Sequence, residues 1–100
     1  MIVKRIRYAV ANERIEENKK AVAAFIAEVV GLEGASYSSF QVGDSSEFIH
    51  LAMFETETAK DRFFSLPGFK PFADGLTSRA LETPQVDDLS LVASSIAELR

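Results

Sequence analysis

His50 is the only histidine in the chain, and it sits inside the strand-like run Phe48 to Phe54. Period-two alternation puts it on the same side as Phe48, Ala52 and Phe54. There an imidazole can serve as acid, base or hydrogen-bond donor to a bound phenol, or can be a half-buried histidine bonded across the sheet or a dimer. Tyr8, Tyr37 and Arg7 also come from strand-like runs. They can supply phenol hydroxyls and a cation to hold an enolate or phenolate, and the tyrosines can equally be packing. Asn18 lies between Ile15 and Val22, so its amide can enter a pocket or satisfy a strand-edge carbonyl. Phe63, Phe69 and Phe72 can form an aromatic wall for a flat ligand or ordinary core. Arg79, near a helix end, is expected to answer that helix's C-terminal dipole.

Other chemistries lack their residues. Without cysteine there is no disulfide, thiolate nucleophile or cysteine-ligated metal. One histidine among scattered carboxylates makes a poor transition-metal site, so no metal is expected. The sequence contains no G-x-G-x-x-G, P-loop or H-E-x-x-H, and no nucleophile elbow supports a Ser-His-Asp triad. Eleven basic against 15 acidic residues give a formal charge of −4, which disfavours nucleic acid. The most apolar stretch, Ala21 to Leu32, contains Glu28 and falls short of the roughly 20 residues that span a bilayer. The opening residues show no signal-peptide pattern, so no membrane partner and a cytoplasmic location are expected.

The elements that must position these groups follow from periodicity. At 100 residues, 47% hydrophobic and 26% charged, the chain has the size of a single domain over residues 1–100. Residues 2–10 read as a strand, and Asn12 as a cap for a helix over about 13–30. In that helix Ile15, Val22, Phe25, Ile26 and Val29 share a face, and Gly31 or Gly34 can end it. Strands over about 35–42 and 47–55 join through Gly43-Asp44-Ser45-Ser46. Helical spacing returns over 57–65 and 70–81, broken at Leu66-Pro67-Gly68 and stopped by Pro84. Asp88 to Ser95 alternates as a last strand.

The order β-α-β-β-α-β defines an α+β, ferredoxin-like fold, a four-stranded antiparallel sheet with its helices on one face. In Phe48 to Phe54 both faces are apolar, Ile49, Leu51 and Met53 on one and Phe48, Ala52 and Phe54 on the other. The helices can cover only one of them. The other is expected to meet a second copy of the chain, forming a barrel between subunits with a cavity as the natural site. On this reading Ala52 and Phe54 belong to the dimer side, and His50 faces the inter-sheet cavity.

Three stretches carry a family resemblance: Met1-Ile2-Val3-Lys4-Arg5-Ile6-Arg7-Tyr8, Phe48 to Glu55, and Leu66-Pro67-Gly68-Phe69-Lys70-Pro71-Phe72. Over about residues 2–95 the chain resembles the antibiotic-biosynthesis-monooxygenase group of the dimeric α/β-barrel superfamily. The resemblance implies a paired-sheet homodimer and a hydrophobic pocket between sheet and helices. For some relatives it implies cofactor-independent oxidation of quinols or polyketide-type phenols by dioxygen, for others haem breakdown or aldol-type cyclisation. Phe63 stands where relatives often carry a helical histidine and Phe54 where they carry a tryptophan; without that histidine there is no iron ligand for haem. No cofactor is therefore expected.

Two function classes follow. One is a cofactor-free monooxygenase for a small aromatic, quinol or polyketide-type molecule. In it His50, Tyr8 and Arg7 are catalytic and Asn18, Tyr37, Phe48, Phe54, Phe63 and Phe72 bind substrate. The other is a non-catalytic small-molecule-binding or scaffold protein of the same fold.

Overall fold

The computed structural model describes residues 1–99. Strand β1 (Ile2–Ala9) leads through a 3-10 turn (Asn12–Arg14) into helix α1 (Ile15–Val29). Strands β2 (Ala35–Gln41) and β3 (Glu47–Phe54) form a hairpin. Helices α2 (Glu57–Phe64) and α3 (Phe69–Arg79) follow, then β4 (Gln85–Leu89). The sheet order is β2-β3-β1-β4 with every pairing antiparallel, as the ferredoxin-like reading requires.

Three local expectations change. The Asn12 side chain makes no cap; Ala11 precedes the 3-10 turn, and α1 starts only at Ile15. The capping side chain is Thr56, which accepts from the Ala59 amide at 3.1 Å and starts α2. The third helical segment ends at Arg79, five positions before Pro84, because the Leu81 amide leaves the helix pattern and donates to the Ala9 carbonyl. The last strand lies at Gln85–Leu89 instead of 88–95. Its partner is β1, and with Leu89 opposite Val3 only Ile2 of that strand remains. Alternation beyond Leu89 therefore has no ladder to join.

The helices cover the Phe48, His50, Ala52, Phe54 face of β3, whose residues alternate buried with half-buried along the strand. This reverses the expected sides. Ala52 and Phe54 pack with Phe25 and Val29 of α1 and Ala59 and Phe63 of α2. Ile49, Leu51 and Met53, with Val3 of β1 opposite Met53, form the uncovered face. The neighbouring strand supplies the reason: β1 places Arg5 opposite Leu51 and Arg7 opposite Ile49 on the uncovered face, where they pair with Asp87 and Glu47, and such charges are costly to bury under helices. A second cluster gathers Tyr8, Val10, Phe48 and Leu76. Phe72 packs against both clusters.

Candidate functional site

Between the two apolar clusters runs a chain of polar side chains. β3 is flanked by β2 and β1, and His50 lies opposite Ser39 on one side and Ile6 on the other. Tyr37, opposite Ala52, and Tyr8, opposite Phe48, are then its diagonal neighbours on the same face, a separation aromatic side chains can bridge. The Tyr37 hydroxyl lies 2.6 Å from His50 Nδ1, and the Tyr8 hydroxyl 2.8 Å from His50 Nε2. Both ring nitrogens are thus engaged by phenols.

The chain continues into the helices. Asn18 falls on the apolar stripe of α1 between Ile15 and Val22, and its Nδ2 donates to the Tyr8 hydroxyl at 2.8 Å. Arg79, at the end of α3 and one turn after Leu76, donates from Nε to Asn18 Oδ1 at 2.9 Å. His50 and Asn18 are 0% exposed and Arg79 8%. The Arg79 Nη2 is buried without a hydrogen-bond partner. No carboxylate lies within salt-bridge distance of Arg79 among the described residues.

Burial sets the protonation of these groups. It disfavours the imidazolium, and the nearby Arg79 charge adds to the effect, so the His50 pKa falls to about 4 and the ring is neutral near pH 7. Burial raises the Tyr37 pKa, and the neighbouring Tyr8 adds to it. It raises Tyr8 too, against the lowering effects of the Asn18 hydrogen bond and the Arg79 charge. The Phe72 ring lies nearly parallel to the imidazole, with centroids 6.2 Å apart and planes at 19°. Phe25, Phe63 and Phe72 close around Tyr37.

The residues singled out by sequence separate into three groups. Tyr8, Asn18, Tyr37 and His50 come together in one hydrogen-bonded set, between sheet and helices and not on the inter-sheet face. Phe48, Phe54, Phe63 and Phe72 form the apolar walls on either side of it. Arg7 is elsewhere: it stands opposite Ile49 on the uncovered face, exposed and paired with Glu47 at 2.7 Å. The buried cation is Arg79, which sequence reasoning assigned to the helix dipole. Its three-residue spacing from Leu76 was the signal that it faces inward. Among the described residues no group of three or more His, Asp or Glu is placed to hold a metal ion. No helix among them is long and apolar enough to cross a membrane.

No family model matches the sequence, and no curated protein matches it. Solved structures do. The Mycobacterium tuberculosis protein Rv0793 superposes with a TM-score of 0.83 over 95% of this chain and 98% of its own, at 14% identity. A structure described as an antibiotic biosynthesis monooxygenase gives 0.81 over 93% and 100%, at 12% identity. SnoaB, a cofactor-independent oxygenase from Streptomyces nogalater, gives 0.78 over 94% and 95%, at 18% identity. In element order, sheet order and nearly full-length superposition, this chain has the same ferredoxin-like α+β fold as these solved structures.

Proposed function

We propose that the protein is a cofactor-independent monooxygenase acting on a small aromatic molecule of hydroquinone or anthrone type, and that it works as a homodimer. The observation that carries this reading is the Tyr37, His50, Tyr8, Asn18, Arg79 chain, set in an otherwise apolar core. Isolated buried polar groups each cost about 1–3 kcal/mol, and a linked set that joins a buried cation to titratable groups with shifted pKa values meets the physical criteria for a candidate site. The fold shared with SnoaB, whose description names cofactor-independent oxygenation, points the same way.

The chemistry needs no electrons from the protein. An anthrone gives up a proton to a solvent base and becomes a delocalised oxyanion, whose ring carbon reduces dioxygen and forms the C–O bond. The resulting peroxide loses water, so the CH2 carbon becomes C=O, one oxygen atom enters the product and the other leaves as water. The contribution of the site is to hold the oxyanion with fixed hydrogen-bond donors in a dry, low-dielectric space. His50, with a pKa of about 4, is a weak base; its place is inside the chain of hydrogen bonds, not as the free proton acceptor that its sequence position suggests. Arg7 has no part in this site, and Arg79 supplies the positive charge.

The test is oxygen uptake by chelator-treated protein with hydroquinones and anthrones, using labelled dioxygen. A rate above buffer with one labelled atom in the product, lowered at least tenfold in Tyr37→Phe or His50→Gln, is expected. One observation favours the non-catalytic binding reading: the imidazole is fully enclosed, under Phe72 and between two tyrosines. Tight ligand binding with uptake at the buffer rate across the panel selects it.

A further inference from the structure

The hydrogen-bond chain has a direction, and its direction is set at the Arg79 end. A guanidinium has only donors, so Arg79 Nε can bond Asn18 only if the amide presents Oδ1 to it. The Nδ2 group must then face Tyr8, whose oxygen accepts from it. If the Tyr8 oxygen also accepted from His50, its own buried hydrogen would have no acceptor among the described residues, at a cost of about 1–3 kcal/mol. Either tautomer leaves one tyrosine hydrogen without an acceptor in the set, and Tyr8, the more buried of the two, is the one that keeps a partner by donating to His50 Nε2. A neutral imidazole carries one proton, so that proton is on Nδ1 and is donated to the Tyr37 oxygen. The hydroxyl hydrogen of Tyr37 is the one left over.

Exposure agrees with this order. Tyr37 is the one member of the set that is partly exposed, and it contributes to a groove of about 230 Å³ along β2 and the end of α1, with Ile26, Val29 and Ala35 among its lining. We propose that Arg79, acting through Asn18 and Tyr8, is a positioning residue that fixes His50 as the Nδ1–H tautomer and makes the Tyr37 hydroxyl a committed hydrogen-bond donor. The ligand is then recognised by an acceptor oxygen, a keto or phenolate oxygen, and not by a hydroxyl it donates. The raised pKa of Tyr37 fits that role by keeping the proton on the phenol. The ligand part rests on the oxygenase reading; the tautomer part does not.

Because His50 is the sole histidine, one pair of ring nitrogen resonances reports on it without ambiguity. In uniformly 15N-labelled, ligand-free protein at pH 7, long-range proton–nitrogen correlation should show a protonated Nδ1 and a bare Nε2. Arg79→Lys, which keeps a donor-only cation, should preserve that pattern, while Arg79→Met should release the amide and give Nε2–H or a mixture. A wild-type Nε2–H tautomer overturns the inference outright, whether or not the arginine variant folds. For the ligand, anaerobic binding of anthraquinone should exceed that of anthracene about tenfold in wild type, and Tyr37→Phe should erase the preference. An equal preference in both proteins overturns the ligand assignment. Neither measurement involves turnover, so its failure is separate from absent oxygen uptake.

Discussion

At the scale of the residue, His50 turns position into protonation state. The folded chain holds its pKa near 4, whereas the unfolded chain exposes an imidazole of about 6.5. The unfolded state therefore binds more protons between those values, and stability must fall as pH falls through that window. The contribution is fully present above about pH 6.5. By pH 5 roughly 2 kcal/mol of it is gone, still above the range where most carboxylates titrate. Urea denaturation of wild type and His50→Gln at pH 7, 6 and 5 checks this. Wild type should lose stability across the series and the variant should stay nearly flat; parallel loss in both would assign the effect to other groups.

At the scale of the element, the connections decide whether the polar chain assembles. The β2 strand that delivers Tyr37 begins just after Gly34, whose φ of 77° suits glycine. A Cβ there would lie 3.1 Å from the Ala59 side chain of α2. Backbone conformation and close packing both oppose a side chain at that point. Gly34→Ala is expected to cost about 2 kcal/mol, while Gly43→Ala, at φ 55° in open space, costs about 1. Chemical denaturation of the two variants checks the order, which open space at Gly43 makes independent of any loss at the site. The strand, hairpin and helix pattern was legible because alternation and 3.6-residue spacing are local. The end of β4 was not, because it depends on how far β1 extends beside it.

At the scale of the whole molecule, the uncovered sheet face carries the case for a second copy. Ile49, Leu51 and Met53 lie there beside Val3, half-buried and on the side away from α1, α2 and α3. Phe40 on β2, opposite Ile49, is 56% exposed, and Leu91, Val92 and Ile96 beyond β4 are exposed as well. Leu51→Glu is expected to give a folded monomer in place of a dimer, as read by light scattering on a sizing column with circular dichroism. Phe54→Glu should instead abolish folding, since it buries an unpaired carboxylate in the helix-covered core. A wild-type monomer, or a Leu51→Glu protein that remains dimeric, would remove this face as the interface.

Sequence by itself determined the element order, and with it the ferredoxin-like fold and most of the polar set, because side-chain period and turn chemistry act over a few residues. It found His50, Tyr8, Tyr37 and Asn18, each an uncommon polar group on an apolar stripe or strand. It did not decide which face of β3 the helices cover, since both faces of that strand are apolar and the choice depends on which β1 side chains the register sets beside them. That choice moved His50 and Phe54 into the core and left Arg7 outside. Nor did it find Arg79 as the end of the chain, because Asn18 and Arg79 are 61 positions apart and meet only when α1 and α3 lie side by side on the sheet. The tertiary structure alone sets the charge, the tautomer and the donor end of the site, because these depend on which donor is buried beside which acceptor.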